Sequence, residues 1–248
     1  MESLSLEWSF SLNRAVGAAN LCDADRSAIF YVSAHAAVIH DLTTHKQTTL
    51  SAHANKIVAA KASADKKVVL TADAGPESIL VAWDTHTAQP IATVVKPHAQ
   101  GVAALDISAD ARFVVTLSDG SAPQELSLWS LVDGESELLL LHSVQVGTVD
   151  EPAERQLSVR FDPASPQSIV SNGAALVIFW DWDVESLTYY APPLAERSTH
   201  MQVGQLTSSV FVPGTTRAAS ATADGHVLVW EHGASSDSAA DEVRPARR

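Results

Sequence analysis

Several features that usually announce a function are scarce or missing in this chain. One cysteine, Cys22, stands among 248 residues, so no intrachain disulfide can form and a reducing compartment is expected. Asp23 and Asp25 follow it closely, and their charge opposes a reactive thiolate. Ten histidines are present, yet none joins a Cys/His group with zinc-ligand spacing. Cations are few: 16 Lys and Arg against 29 Asp and Glu leave a formal net charge of −13. A nucleic-acid backbone requires a basic footprint, so nucleic acid is not an expected partner. No apolar run approaches the roughly 18 residues of a membrane span, and the opening MESLSLEWSF lacks the basic-then-apolar order of a secretion signal. Phosphate-cradling glycine loops, dinucleotide fingerprints, nucleophile elbows and EF-hand loops are missing as well. No catalytic residue, metal or cofactor is therefore expected.

What is present is a repeat. Hydrophobic residues make up 46% of the chain and charged residues 18%, the balance of a globular protein. The stretch TADAGPESILVAWD, residues 71–84, reads as a strand end, a Gly-Pro turn, and an apolar strand closing in Trp83-Asp84. His53 precedes Trp83 by 30 residues. This order is that of one blade of a WD-repeat β-propeller. Its chemistry is a relay: Asp73 accepts from the His53 ring, the ring reaches the Thr71 hydroxyl, and the hydroxyl meets the Trp83 indole N–H. His98, Asp119 and Trp129 repeat the pattern, as do His200, Thr222, Asp224 and Trp230, with His-to-Trp spacings of 31 and 30. Tryptophans 83, 129, 180 and 230 advance in steps of 46, 51 and 50.

The expected architecture is all-β, a WD40-type propeller with about four full blades and a partial fifth. The blades are placed at 16–50, 53–95, 98–142, 157–191 and 200–231, within a repeat region of residues 1–233. In the first, His40-Asp41 takes the place of Trp-Asp. In the fourth, no histidine stands thirty residues ahead of Trp180, and the relay is expected to be broken. Trp180-Asp181-Trp182 is read chiefly as packing between blades. No fourth strand is expected after Trp230, and residues 234–248 read as a disordered tail. Leu4, Leu6, Trp8 and Phe10 alternate with polar residues as a half-buried strand. That strand either pairs beside His226–Trp230 to close a ring or marks one open flank. The chain is expected to be the N-terminal part of a larger propeller, an open ring, poorly soluble alone.

Particular stretches resemble one family. LEWSFSLNR, IFYVSAHAAVIHDL, the block from SAHANKIVAAKASADKK through TADAGPESILVAWDTHTAQPIATV, GVAALDISADARFVVTLS, SNGAALVIFWDW and YYAPPL are similar, in order and spacing, to the cilia- and flagella-associated protein 251 family. The resemblance runs from about Leu4 to Trp230. It implies a non-catalytic scaffold in the axoneme of a motile cilium or flagellum, and thus in the cytoplasm and cytoskeleton. Implied partners are axonemal: the radial spoke and the calmodulin- and spoke-associated complex at its base, which regulates dynein. Family members are longer, and some carry an EF-hand region; this sequence has none, so calcium binding is not carried over. The competing reading is a cytosolic adaptor presenting partners to another assembly such as a ubiquitin ligase.

Overall fold

In the computed structural model the described residues are 8–120, 123–148, 153–192, 204–232 and 243–245. They form five antiparallel sheets of four strands each, and no helix. Sheet 1 contains β1 (Ala19–Asn20), β2 (Ala28–Ser33), β3 (Ala36–Asp41) and β4 (Gln47–Leu50). Sheet 2 contains β5 (Ile57–Ala62), β6 (Val68–Asp73), β7 (Ile79–Asp84) and β8 (Pro90–Val95). Sheet 3 contains β9 (Val102–Ile107), β10 (Phe113–Ser118), β11 (Gln124–Ser130) and β12 (Leu139–Val146). Sheet 4 contains β13 (Ser158–Phe161), β14 (Ser168–Asn172), β15 (Val177–Trp182) and β16 (Leu187–Tyr190). Sheet 5 contains β17 (Leu206–Phe211), β18 (Arg217–Thr222), β19 (Val227–His232) and β20 (Val243–Pro245). Every sheet is a meander, each strand pairing only with its neighbours in sequence.

The first strands of sheets 2 to 5 lie against one another in order, β5 on β9, β9 on β13 and β13 on β17. Successive sheets therefore stack face to face, and a strand in the middle of a sheet is covered on both sides. This explains why β6 reads VVLTAD and β10 reads FVVTLS, near-continuous buried runs rather than alternation. Four apolar clusters fill the gaps, and one tryptophan closes each. Trp83 packs with sheet 1, Trp129 with sheet 2, Trp180 with sheet 3, and Trp230 with Val170 and Val177 of sheet 4. Each indole thus joins its own sheet to the one before it.

Between sheets 2 and 3 the backbones themselves touch. Ala74 bridges Gly101, and the Gly75 N–H donates to the Gln100 carbonyl at 3.1 Å. Gly101 has φ +96°, and a Cβ there would fall 2.7 Å from the Gly75 nitrogen. Only glycine fits this approach.

Two expectations about the ends need correction. After Trp230 the chain does return: β20 pairs with β19 through Trp230↔Pro245, Glu231↔Arg244 and His232↔Val243. Its Ala/Ser/Asp-rich approach carries no apolar periodicity, so no strand is legible there from the residues alone. The opening segment is the second case. Leu4 and Leu6 lie outside the described residues, and residues 8–10 form no strand. Ser9 instead rests on sheet 1, its N–H donating to Gln47 Oε1 at 2.7 Å and its carbonyl accepting from Tyr31 OH at 3.2 Å. The place beside β19 belongs to β20. Phe10, expected inside, is 94% exposed.

Candidate functional site

The chemistry of this chain is concentrated where each buried indole meets the strand before it. In sheet 2, Trp83 lies opposite Val69, and the hydroxyl two residues on, Thr71, faces its ring edge. The Trp83 N–H donates to Thr71 Oγ1 at 2.8 Å, and Thr71 Oγ1 lies 2.7 Å from His53 Nε2. His53 Nδ1 faces the Asp73 carboxylate at 3.5 Å, an electrostatic contact longer than a good hydrogen bond. All four side chains are buried. One proton arrangement orders the direct bonds, indole N–H to Thr71 and Thr71 O–H to Nε2, and leaves Nδ1–H turned toward Asp73 in an electrostatic contact only. Asp73 also anchors backbone, accepting from the Ile79 N–H at 2.6 Å and the Asn55 N–H at 3.3 Å. Burial pushes the His53 pKa down, and the neighbouring Asp73 charge only partly opposes it. The ring is neutral in the native fold near neutral pH.

Sheet 3 repeats the core of this arrangement with a different acid. Trp129 lies opposite Val114, and its N–H donates to Thr116 Oγ1 at 2.9 Å. His98 Nε2 is 2.8 Å from the same hydroxyl. The carboxylate facing His98 Nδ1 is Glu125, at 3.7 Å, and burial again lowers the imidazole pKa. Asp119 is absent from the group and pairs with Arg155 instead. The reason is a register slip in the reading. Asp73 pairs with Ile57 at the start of β5; its counterpart, paired with Val102 at the start of β9, is Ser118. A one-residue slip on a strand moves a side chain to the other face. The signal that finds Thr116 is the histidine-to-hydroxyl spacing, 18 residues in both sheets.

Sheet 5 shows the same slip, two residues wide. Trp230 lies opposite Ala218, so its acceptor is Ser220, reached at 2.9 Å. Ser220 is 2.6 Å from the Ser209 hydroxyl. Thr222 and Asp224, chosen because Thr-Ala-Asp recurs there, stay out of the contact. Thr222 accepts the His226 N–H at 3.0 Å, and Asp224 sits exposed in the turn. His200 lies outside the described residues.

Sheet 4 was expected to lack a relay, and this too is corrected. Trp180 N–H donates to Ser171 Oγ at 3.0 Å, and Ser171 donates to Gln156 Oε1 at 2.8 Å. Gln156 is fully buried and does the work of the missing imidazole. Its backbone N–H donates to Gln124 Oε1 at 2.7 Å, and Gln124 Nε2 returns a bond to the Gln156 carbonyl at 3.0 Å. Gln124 belongs to β11, so this relay extends into sheet 3. A search for histidine alone could not find it. Sheet 1, with His40 in the tryptophan position opposite Ile29, places Tyr31 where the hydroxyl residue would be. There Gln47 Nε2 donates to Tyr31 OH at 2.8 Å.

Among the described residues no three His, Cys, Asp or Glu side chains gather as metal ligands. The acids at the ends of the third strands of sheets 1, 2 and 4 are committed to turns. Asp41 caps the Thr43 and Thr44 N–H groups, Asp84 those of His86 and Thr87, and Asp183 those of Glu185 and Ser186. Backbone hydrogen bonds, from Thr44 and Ser186 first, hold the carboxyl pKa values of Asp41 and Asp183 below the usual range. What this set of groups accomplishes is fixation: each relay locks an indole between two sheets with the indole N–H hydrogen-bonded.

Comparison with known proteins agrees over nearly the whole chain. A family model described as the CFAP251 N-terminal domain matches residues 4–248. The cilia- and flagella-associated protein 251 of Chlamydomonas reinhardtii is 39% identical, with 92% of this chain and 30% of that protein covered. Its namesake in Tetrahymena thermophila is 33% identical over 93% of this chain and 23% of the relative. The mouse protein of the same name is 32% identical over 92% of this chain and 17% of the relative. The chain thus spans less than a third of each of these relatives. Repeated sheets locked by tryptophan, and a match from residue 4 to residue 248, lead to one statement: the chain belongs to the cilia- and flagella-associated protein 251 family.

Proposed function

We propose that the five sheets are blades of a WD-repeat β-propeller, and that this propeller is a non-catalytic scaffold of the ciliary or flagellar axoneme. The observation that carries the reading is the repeated contact of indole N–H with a buried strand hydroxyl in sheets 2 to 5. Such a device stiffens a stack of sheets and offers no reactive group. The blades correspond to residues 16–50, 53–95, 98–142, 157–191 and 200–231, the third and fifth extended by β12 and β20. The relay residues, with Thr116, Ser171, Gln156 and Ser220 added, are structural. The relatives are named for cilia and flagella, and the greater length of those relatives leaves room for blades that complete the ring. The partners we infer are radial-spoke components and the calmodulin- and spoke-associated complex.

Fractionation of motile cilia tests this. A tagged protein carrying this chain should remain with detergent-extracted axonemes and co-purify with spoke-base components after high-salt release. Recovery in the detergent-soluble matrix alone would overturn the placement.

A further inference from the structure

The gap between sheets 4 and 5 holds a cleft of about 520 Å³. Phe179, Trp180, Phe211 and Trp230 line it, and Asp162 and Asp181 join them from the turn after β13 and from β15. The Phe179 ring stands edge-on to Phe211 and Trp230, with centroids 6.4 and 5.9 Å apart; Phe179 and Phe211 are half-buried and form the accessible aromatic wall, while Trp180 and Trp230 are buried beneath it. Each carboxylate has one oxygen engaged: Asp162 Oδ1 by the Ala164 N–H at 2.8 Å, Asp181 Oδ1 by the Ser168 hydroxyl at 2.9 Å. The second oxygen of each accepts no hydrogen bond from a described residue. Neither acid pairs with a described Lys, Arg or His. The cleft therefore carries two uncompensated negative charges beside aromatic walls, in a chain whose net charge is −13.

We propose that this cleft binds an arginine side chain presented by a basic segment of a partner protein. A cation is selected first by the free carboxylate oxygens, and the half-buried Phe179 and Phe211 rings add an aromatic surface on which it can rest. Arginine satisfies both together, because its planar guanidinium stacks on a ring while its N–H groups fork onto carboxylates. A metal ion would leave the aromatic walls without a role, and an anion would meet like charge. The volume falls within the range of about 300–1,000 Å³ typical of ligand pockets. This goes beyond the scaffold reading by naming the partner's chemistry. The test uses the protein that carries this chain and reads binding alone, so failure would leave the ciliary placement untouched.

The probe is a fluorescein-labelled Gly-Ser-Arg-Gly-Arg-Ser-Gly peptide, followed by anisotropy at physiological salt. Saturable binding is expected, and replacing both arginines of the peptide with citrulline should weaken it about tenfold or more, as loss of charge-assisted hydrogen bonds requires. The paired substitution Asp162→Asn and Asp181→Asn should weaken binding comparably. Asp133→Asn with Glu135→Gln, on an exposed loop of sheet 3, should leave it unchanged. Equal binding of the citrulline peptide overturns the proposal, as does equal weakening by the sheet 3 pair. Binding that appears only after Arg247→Gln and Arg248→Gln also overturns it, since the occupant is then this chain's own tail. Should the cleft variant fail to fold, the citrulline comparison on the unaltered protein still decides.

Discussion

Sheets 2 and 4 solve one problem with different chemistry. Both bury a tryptophan between sheets, and both offer its N–H a hydroxyl two residues beyond the position opposite the indole. In sheet 2 the next group is His53, backed by Asp73 of the same sheet. In sheet 4 it is Gln156, backed by Gln124 of the neighbouring sheet. What the fold requires is an acceptor for the indole and a partner for the hydroxyl; whether that partner titrates is a separate choice. An imidazole makes the lock local and sensitive to acid. An amide makes it indifferent to acid and ties two sheets together.

The comparison can be broken most severely at the indole. Trp180→Ala should cost about 3–5 kcal/mol, the range for deleting a large buried aromatic, read from the shift in urea midpoint. A smaller loss would mean that sheets 3 and 4 collapse into the space. Removing the hydroxyl comes next. Ser171→Ala and Thr71→Val should each cost about 2–4 kcal/mol, because two buried partners lose their bonds at once. If only Thr71→Val proved costly, the glutamine would not be an equivalent of the histidine.

Asp73→Ala should destabilise by about 1–3 kcal/mol, since it strips an acceptor from two backbone N–H groups and a counter-charge from His53. Asp224→Ala, at the position that the sequence makes look equivalent, should stay within about 0.5 kcal/mol, as exposed substitutions do. Paired thermal melts of the two variants separate register from motif.

Acid sharpens the contrast in kind. Burial holds the folded-state pKa of His53 and His98 below the ordinary value. The unfolded chain therefore binds more protons as pH falls below about 6.5, the ordinary histidine value. Stability should be flat above that point and decline below it, down to the lowered folded-state values. His53→Gln, which gives sheet 2 the amide of sheet 4, should make the decline shallower. An unchanged pH profile would show that His53 does not couple to folding.

How much of this the sequence disclosed follows from where its patterns are local. The relay of sheet 2 was readable because His53, Thr71, Asp73 and Trp83 all sit at familiar offsets and the strands are apolar throughout. Asp119 and Asp224 misled because an Asp-Gly turn signature resembles the Thr71–Asp73 strand end, while the register is set by pairing with β9 and β17. Pairing is a long-range fact that one strand's letters do not carry. Gln156 escaped because the search was for a ring, whereas the constraint is a hydrogen-bond acceptor at the right place. Strand β20 escaped because its pairing with β19 rests on backbone groups that every residue possesses.

The contact of Ala74 with Gly101 has a mechanical side. Two main chains that touch with no side chain between them have no rotamer to yield, so the joint between sheets 2 and 3 resists compression. The joint between sheets 4 and 5 also has a main-chain contact, the Leu206 N–H donating to the Ala174 carbonyl at 2.7 Å, but a cleft of about 520 Å³ opens beside it. Under an imposed bend, the room to close lies beside that contact, between the fourth and fifth sheets.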